Sequence, residues 1–412
     1  MSLSTQPYKG TRDFYPDDMR TRKWMFAKWR KVVESFGYEE YDGPILEPLE
    51  LYTAKTSEEI VNDQSFNFED RGGRKVVMRP EMTPTVSRMV AGKRQELGYP
   101  LRLYSIPNCF RYERQQRGRL REFWQLNVDL FGVEGIEADV ENIQIADALL
   151  KEFGATKDQY EIKINSRSAL PKLLEEKGVQ KELIQDFIRA FDKIGKPAFD
   201  KYITELDDGT KKQFLEITDS IKGDEILSTE SGRRLSEVRK LLEETGIQVT
   251  VDATLARGFD YYTDIVFEVF DKDPENSRSL FGGGRYDGLV GEFGVEAVPT
   301  VGFGMGDVTF QNFLESHDLL KEQPSETNAY IVVIGDVLHE AQKVAQQLRE
   351  KGINVAVDIS GRKTDKQIAN ANKKNIAHKI FIGSEEVESQ TYSVEGQEQK
   401  LSLDQIVNLI TK

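Results

Sequence analysis

Cysteine is nearly missing from this chain: among 412 residues Cys109 stands alone. A single cysteine excludes an intrachain disulfide and a cysteine-based zinc site, and such usage fits a reducing compartment, so a cytoplasmic setting is expected. Histidine is almost as scarce, with only His317, His339 and His378, all in the last quarter. Chemistry before His317 must therefore use carboxylates, arginines, hydroxyls or bound ions. No stretch reaches the roughly 20 uninterrupted apolar residues of a membrane span, and the opening MSLSTQPYKGTRDFYPDD lacks the apolar run of a signal peptide. Membrane insertion and secretion lose support. Positive charge is also short: 56 Lys and Arg stand against 70 Asp and Glu, a net of −14. That sign excludes a protein that coats DNA or RNA through a general cationic surface, though it leaves room for a local basic patch.

What is present describes a globular chain. Apolar residues make up 38% and charged residues 31%, with 32 Gly and 13 Pro, so neither disorder nor a fibrous repeat is indicated. The length allows two or three domains. Residues 17–36 space Met19, Phe26, Trp29, Val33 and Phe36 as one helical face, with Asp17 and Asp18 at the start and Gly37 after the end. The next segment, YEEYDGPILEP, alternates like a strand, and Pro44 and Pro48 suit it to an edge or a subunit interface. KVVMRPEMT, LRLYSIPNCFRYER and GRLREFWQLNVDLFG read as strands, the last two as an antiparallel pair around an arginine-rich loop. Helices are expected over 137–153 and through a Lys- and Glu-rich block at about 167–245, which reads as an inserted module. Strands resume at IQVTVDATLARGFDYYTDIVFEVF. After a polar linker at 321–327, residues 328–412 alternate strand and helix, the pattern of a small domain with a largely parallel sheet.

Several short segments carry chemistry. Arg111 to Glu122 holds five arginines and two glutamates in twelve residues. Arginine beside a buried strand suits phosphate, since its planar fork donates two parallel hydrogen bonds and stays charged when partly desolvated; a solvated hairpin tip would have the same composition. Glu81, in RPEMTP, either complements the first turn of a helix or accepts an ammonium group. Gln125 and Asp129 lie four apart on one strand and so share a face, where unpaired polar groups would be costly. Glycine runs at 282–284 and at Gly302, Gly304 and Gly306 allow close backbone approach or a bulge. The second run lacks the sixth glycine and the βαβ context of a dinucleotide fingerprint.

In order along the chain, KGTRDFYP, RPEMTP, FRYERQQRGRLREFWQ, ARGFDYYT and GGGRYDGL resemble the histidyl-tRNA synthetases, class II aminoacyl-tRNA synthetases. The last two motifs point to histidine; the arginine-rich one indicates only the class. The resemblance implies an α+β fold: a class II antiparallel sheet of six or seven strands flanked by helices, over residues 1–320. A helical insertion at 167–245 would interrupt it, and 328–412 would be an α/β anticodon-binding domain. It implies a homodimer, ATP with Mg2+ carried mainly on its phosphates, and histidine and histidine tRNA as substrates, with no DNA or membrane partner. Position by position, Arg111 would hold the α-phosphate and Glu113 would lie by the adenine. Arg119 would approach the outer phosphates, and Arg257 the reacting carboxylate and α-phosphate. Glu81, Thr83 and Gln125 would take the amino-acid ammonium end, Asp129 and Tyr262 would face the imidazole, and Tyr286 would line the pocket. Gln115 and Gln116 are candidates for reading the extra 5′ guanosine of the tRNA, and Arg362, Lys363 and Lys366 for its anticodon arm. The implied reaction is histidine activation by ATP to histidyl-adenylate, then transfer to the tRNA 3′ end.

Two positions depart from the family pattern. Asp129 stands where many members have Glu, so the imidazole must come closer or a water must intervene. The usual Gly-x-x-Arg of motif 3 reads Gly306-Asp307-Val308-Thr309, and no Lys or Arg occurs from Tyr286 to Leu320. An alternative reading is therefore a non-catalytic, histidine-binding regulatory subunit of ATP phosphoribosyltransferase, although such relatives lack the last domain.

Overall fold

The computed structural model describes residues 3–53, 64–113, 116–193, 199, 203–204, 206–220, 227, 229–253, 255, 261–276 and 279–411. Two compact units emerge: 1–13 with 26–320, and 14–25 with 321–412.

The first unit is built on strand β7 (Glu122–Phe131). Alternation sends Leu126, Val128 and Leu130 to one face and Gln125, Asn127 and Asp129 to the other. Every residue from Leu126 to Phe131 is buried, so the polar face is enclosed rather than solvated. Around it lie β1 (Glu39–Glu40), β5 (Leu101–Ser105), β6 (Asn108–Phe110), β8 (Tyr160–Ser166), β9 (Thr250–Val251), β10 (Ile265–Asp271), β11 (Ser279–Arg285) and β12 (Thr300–Gly306). Their order is β1-β5-β7-β12-β11-β10-β8-β9, with β6 also paired to β7. The six central strands are antiparallel, while β1 and β9 add to the edges in parallel. With β6 the antiparallel strands number seven, as expected, and among the described residues the parallel β1 and β9 bring the sheet to nine: short flanking segments find open edges that hydrophobic patterning does not reveal.

Lys75–Met78 does not join this sheet. It forms β4 and pairs with β2 (Leu46–Pro48) and β3 (Phe66–Glu69) in a three-stranded sheet, and the following Thr83–Gly92 is a helix with Pro84 in its first turn. Helix Pro16–Ser35 appears as the periodicity requires, as does Glu137–Glu152. In the inserted block the helices Ala169–Glu176, Lys181–Lys193 and Asp208–Ser220 surround a core that includes Leu170, Leu174, Phe187 and Phe214, while the helix Glu230–Glu244 packs against Glu137–Glu152 and β8.

The second unit contains β13 (Ala329–Val333), β14 (Val355–Val357), β15 (His378–Ile382) and β16 (Ser393–Val394) in the order β14-β13-β15-β16. Three strands are parallel and β16 is antiparallel. Helices Leu338–Glu350 and Leu403–Ile410 pack Ala341, Ala345, Leu348 and Ile406 against them.

One buried ion pair ties β11 to the end of β7. Arg285 donates to Asp139 at 2.6 Å and to the carbonyls of Val133 and Gly135, and both charged side chains are almost fully enclosed. Burial still holds the Asp139 carboxyl up at about 6, against the lowering effect of Arg285. Removing one partner leaves an uncompensated buried charge, so Arg285→Met is expected to lose about 3–5 kcal/mol in urea unfolding. A loss below about 1 kcal/mol would show that the pair does not hold this corner.

Candidate active site

The polar face of β7 opens into a cleft lined by Glu81, Thr83, Arg111, Gln125, Asn127, Tyr261, Tyr262, Tyr286 and the backbone of Gly302 to Gly304. Its floor is bare main chain. In register, Gly302 lies opposite Asp129 and Gly304 opposite Asn127, while Gly284 and Gly282 lie opposite those two glycines on β11. A Cβ on Gly304 would stand 2.6 Å from Gln125 Nε2, and one on Gly302 would collide with the Asp129 carboxylate. Only glycine leaves room for both polar side chains.

In the lining Glu81, 3% exposed, accepts a hydrogen bond from Tyr261 at 3.1 Å. Beside it Arg111 donates Nε to the Pro80 carbonyl at 2.9 Å, which fixes the direction of its fork, and its guanidinium lies 5.3 Å from the Phe123 ring. Glu113 is held by Arg119 at 2.9 Å. Asp129, outside the cleft's lining but opposite Gly302 and also 3% exposed, accepts from the Tyr286 hydroxyl through Oδ1, while Oδ2 has no hydrogen-bond partner among the described residues. Burial raises the Asp129 carboxyl to about 7; the Tyr286 hydrogen bond lowers it and the Glu81 charge raises it. Tyr261, Tyr262 and Tyr286 form one aromatic wall, with ring centroids 4.8 to 6.5 Å apart.

A family model described as histidyl-tRNA synthetase matches residues 10–306, and one described as an anticodon binding domain matches residues 328–412. The histidine–tRNA ligase of Leptospira biflexa is 41% identical over 95% of this chain and 93% of its own. The chain belongs to the histidyl-tRNA synthetase family. The Haloarcula marismortui histidine–tRNA ligase is 37% identical over 92% of this chain and 91% of its own. The apo S. aureus histidyl-tRNA synthetase structure shares the fold at a TM-score of 0.76 and 24% identity, covering all of both chains. The chain is accordingly an ATP-dependent histidine–tRNA ligase, and the anticodon-binding model over its last domain weighs against the regulatory-subunit alternative.

The structure gathers Glu81, Thr83, Arg111, Gln125, Tyr262 and Tyr286 on one cleft. Arg257 and Gln115 lie outside the described residues. Gln116 sits in the arginine-rich loop, bridged to Arg119. Arg362, Lys363 and Lys366 are exposed in the second unit. Lys379, which closes the basic run of Arg362, Lys363, Lys366, Lys373 and Lys374 in the sequence, is not: it is buried and paired with Glu395 at 2.7 Å. A larger hollow of about 420 Å³ in that unit, among Glu340, Lys343, Gln347 and Tyr392, holds one acid and one base without a converging set.

Asn127 and Tyr261 escaped notice in the sequence. Asn127 was visible as the middle member of the Gln125–Asp129 face, whereas nothing local separates Tyr261 from Tyr262. Arg12 is a third surprise. It pairs with the buried Asp307 at 2.6 Å, and Asp307 also accepts the Trp124 N–H at 2.9 Å. Trp124 alternates with Phe123 and Gln125 and so points away from the cleft. The Arg12 guanidinium, 6.0 Å from the Trp124 ring, therefore anchors the motif 3 helix from behind and does not replace the missing arginine. Thr309 donates to the Leu280 carbonyl at 2.8 Å.

Below pH 7 a bound imidazole that needs the Asp129 carboxylate must first displace its proton. Histidine affinity is expected to fall about tenfold per pH unit below 7 and to level off above it. Asp129→Asn should remove that limb, leaving only the titration of the ligand itself; calorimetric titration between pH 6 and 8 checks both.

Proposed function

We propose that the cleft activates histidine by in-line attack of its carboxylate on the α-phosphorus of ATP. One observation supports this above the others: two buried acids, Glu81 in the lining of the cleft and Asp129 bonded to the lining Tyr286, accompany an arginine on its wall, a set suited to an amino acid with a cationic ammonium and a basic ring. Glu81 and Gln125, with Thr83 beside them, receive the ammonium. Asp129 and Tyr262 face the imidazole, and Tyr286 fixes Asp129 by occupying Oδ1. Arg111 holds the α-phosphate, Glu113 lies by the adenine, Arg119 meets the outer phosphates, and Arg257 approaches the reacting centre.

A carboxylate oxygen bonds to phosphorus as the bond to the bridging oxygen breaks, and pyrophosphate leaves with the electron pair. Magnesium carried on the ATP phosphates, as substrate, would offset the charge of that leaving group. The terminal hydroxyl of tRNA then attacks the acyl carbon and AMP departs. No side chain is a nucleophile, so catalysis is positioning plus fixed charge. Exposed Leu46 on β2 and Ile45 just before it favour pairing of two copies through that edge. The buried, unpaired thiol of Cys109 suits the cytoplasm. Among the described residues no helix is long and apolar enough to cross a membrane.

Histidine-dependent ATP–pyrophosphate exchange tests the assignment. Arg111→Ala should reduce exchange by about 10²- to 10³-fold, as for other preorganised charge donors, with an unchanged thermal midpoint. No exchange by the wild-type protein would return the regulatory reading to first place.

The tRNA surface is tested separately. Replacing Arg362, Lys363 and Lys366 with Ala should weaken aminoacylation and flatten its salt dependence by about one unit of slope per lost phosphate contact, while exchange persists. Equal loss in both assays would contradict this placement.

A further inference from the structure

Beside Asp129 the sheet register lines up two hydroxyls that belong to no motif. Tyr41 continues β1: its N–H donates to the Tyr104 carbonyl at 2.9 Å, one step past the pairs Glu39–Leu103 and Glu40–Tyr104. That sets it next to Ser105. Ser105 in turn lies opposite Asn127, and Leu103 opposite Asp129. Facing and diagonal neighbours on one sheet surface are within side-chain reach, so Tyr41, Ser105, Asn127 and Asp129 share the cleft face. Three oxygens here are buried without a hydrogen-bond partner among the described residues: Tyr41 OH, Ser105 Oγ and Asp129 Oδ2. Ser105 is 1% exposed. Their closeness is also felt electrostatically. After burial, the Asp129 charge is the largest influence pushing the Tyr41 phenol up, while the Ser105 hydroxyl, near enough to lean toward the phenol oxygen without completing a hydrogen bond to it, acts in the opposite direction.

Leaving three such atoms unsatisfied together would be costly, because each forfeits its bonds to bulk water. A site with three convergent polar partners is what a buried water requires. The acid that faces it is also short. Aspartate reaches about one C–C bond, roughly 1.5 Å, less far than glutamate, and Tyr286 already holds one of its oxygens.

We propose that Tyr41 and Ser105 are specificity-determining residues that, with Asp129 Oδ2, hold one buried water through which this short acid reaches the imidazole of histidine. The proposal rests on the cleft being the histidine site. The water donates to Oδ2, accepts from Tyr41 or Ser105, and keeps a hydrogen-bonding position for the ring nitrogen.

A double-mutant cycle separates this from a structural role. Tyr41→Phe and Ser105→Ala remove only a hydroxyl. Each should raise the histidine KM, and the Kd from calorimetry, about tenfold, while kcat and the ATP KM stay within about twofold. In an Asp129→Glu background the longer acid reaches the water's position, and the same deletions should change the histidine KM by less than about twofold. Deletions that leave the histidine KM unaltered overturn the proposal, as do losses of equal size in both backgrounds. Should Asp129→Glu fail to fold, a crystal structure with histidine bound decides. Solvent within about 3.2 Å of all three oxygens is expected, and an imidazole placed directly on Asp129 with no solvent there overturns the idea. If the wild type binds no histidine, the assignment of the cleft falls too; if it binds and the deletions are silent, only the water falls.

Discussion

Everything at this site depends on the absence of side chains from two adjacent strands. Gly282 and Gly284 on β11 face Gly304 and Gly302 on β12, and the space the β12 pair vacates is what Gln125 and Asp129 occupy from β7. A sheet usually stabilises itself by packing β-branched or aromatic side chains on each face. Here one face gives up that packing over four positions, and the stability is recovered around the rim, through the Arg285–Asp139 pair and the tyrosine wall. The cleft is therefore a gap in the sheet's own packing, with a floor set by the strand pleat of Gln125, Asn127 and Gly302 to Gly304 and a wall of residues just outside the strands, Glu81, Arg111, Tyr261, Tyr262 and Tyr286.

The electrostatics follow from the same enclosure. Two acids on a chain of net charge −14 would be unremarked at the surface, but at 3% exposure each becomes a strong demand for a cationic or hydrogen-bonding ligand. The demand is unequal. Glu81 has Tyr261 as company, whereas Asp129 keeps one oxygen unclaimed. The hydrogen-bonding capacity left open among the described residues is therefore at Asp129.

Features carried by local pattern were legible in the sequence. The β7 alternation, the helices Pro16–Ser35 and Glu137–Glu152 and the α/β rhythm of the last domain all follow from periodicity, and Gln125 and Asp129 could be assigned to one face by counting. Features created by pairing were not. Ser105 and Tyr41 matter because β5 and β1 are neighbours in space, and no residue near either one signals it. The glycine runs were readable as close approach or a bulge but not as two halves of one floor, since their opposition needs the β11–β12 register. Lys379 shows the reverse error: a lysine in a basic run looks solvated until Glu395, sixteen residues on, draws it inward.

The Arg12–Asp307 contact spans 295 residues, and Gly10 accepts backbone hydrogen bonds from Arg121 and Glu122. At about 5–20 residues per second, the ribosome needs roughly 15–60 s between making the first partner and the second. Throughout that interval the amino terminus has no anchor for its arginine, and the buried aspartate that closes the catalytic sheet has not yet been made. The sheet of the second unit joins strands only tens of residues apart and faces no such delay, but residues 14–25 of that unit wait as long for 321–412 as Arg12 does for Asp307. Synthesis order therefore leaves the amino terminus the last part of either unit to find its partners.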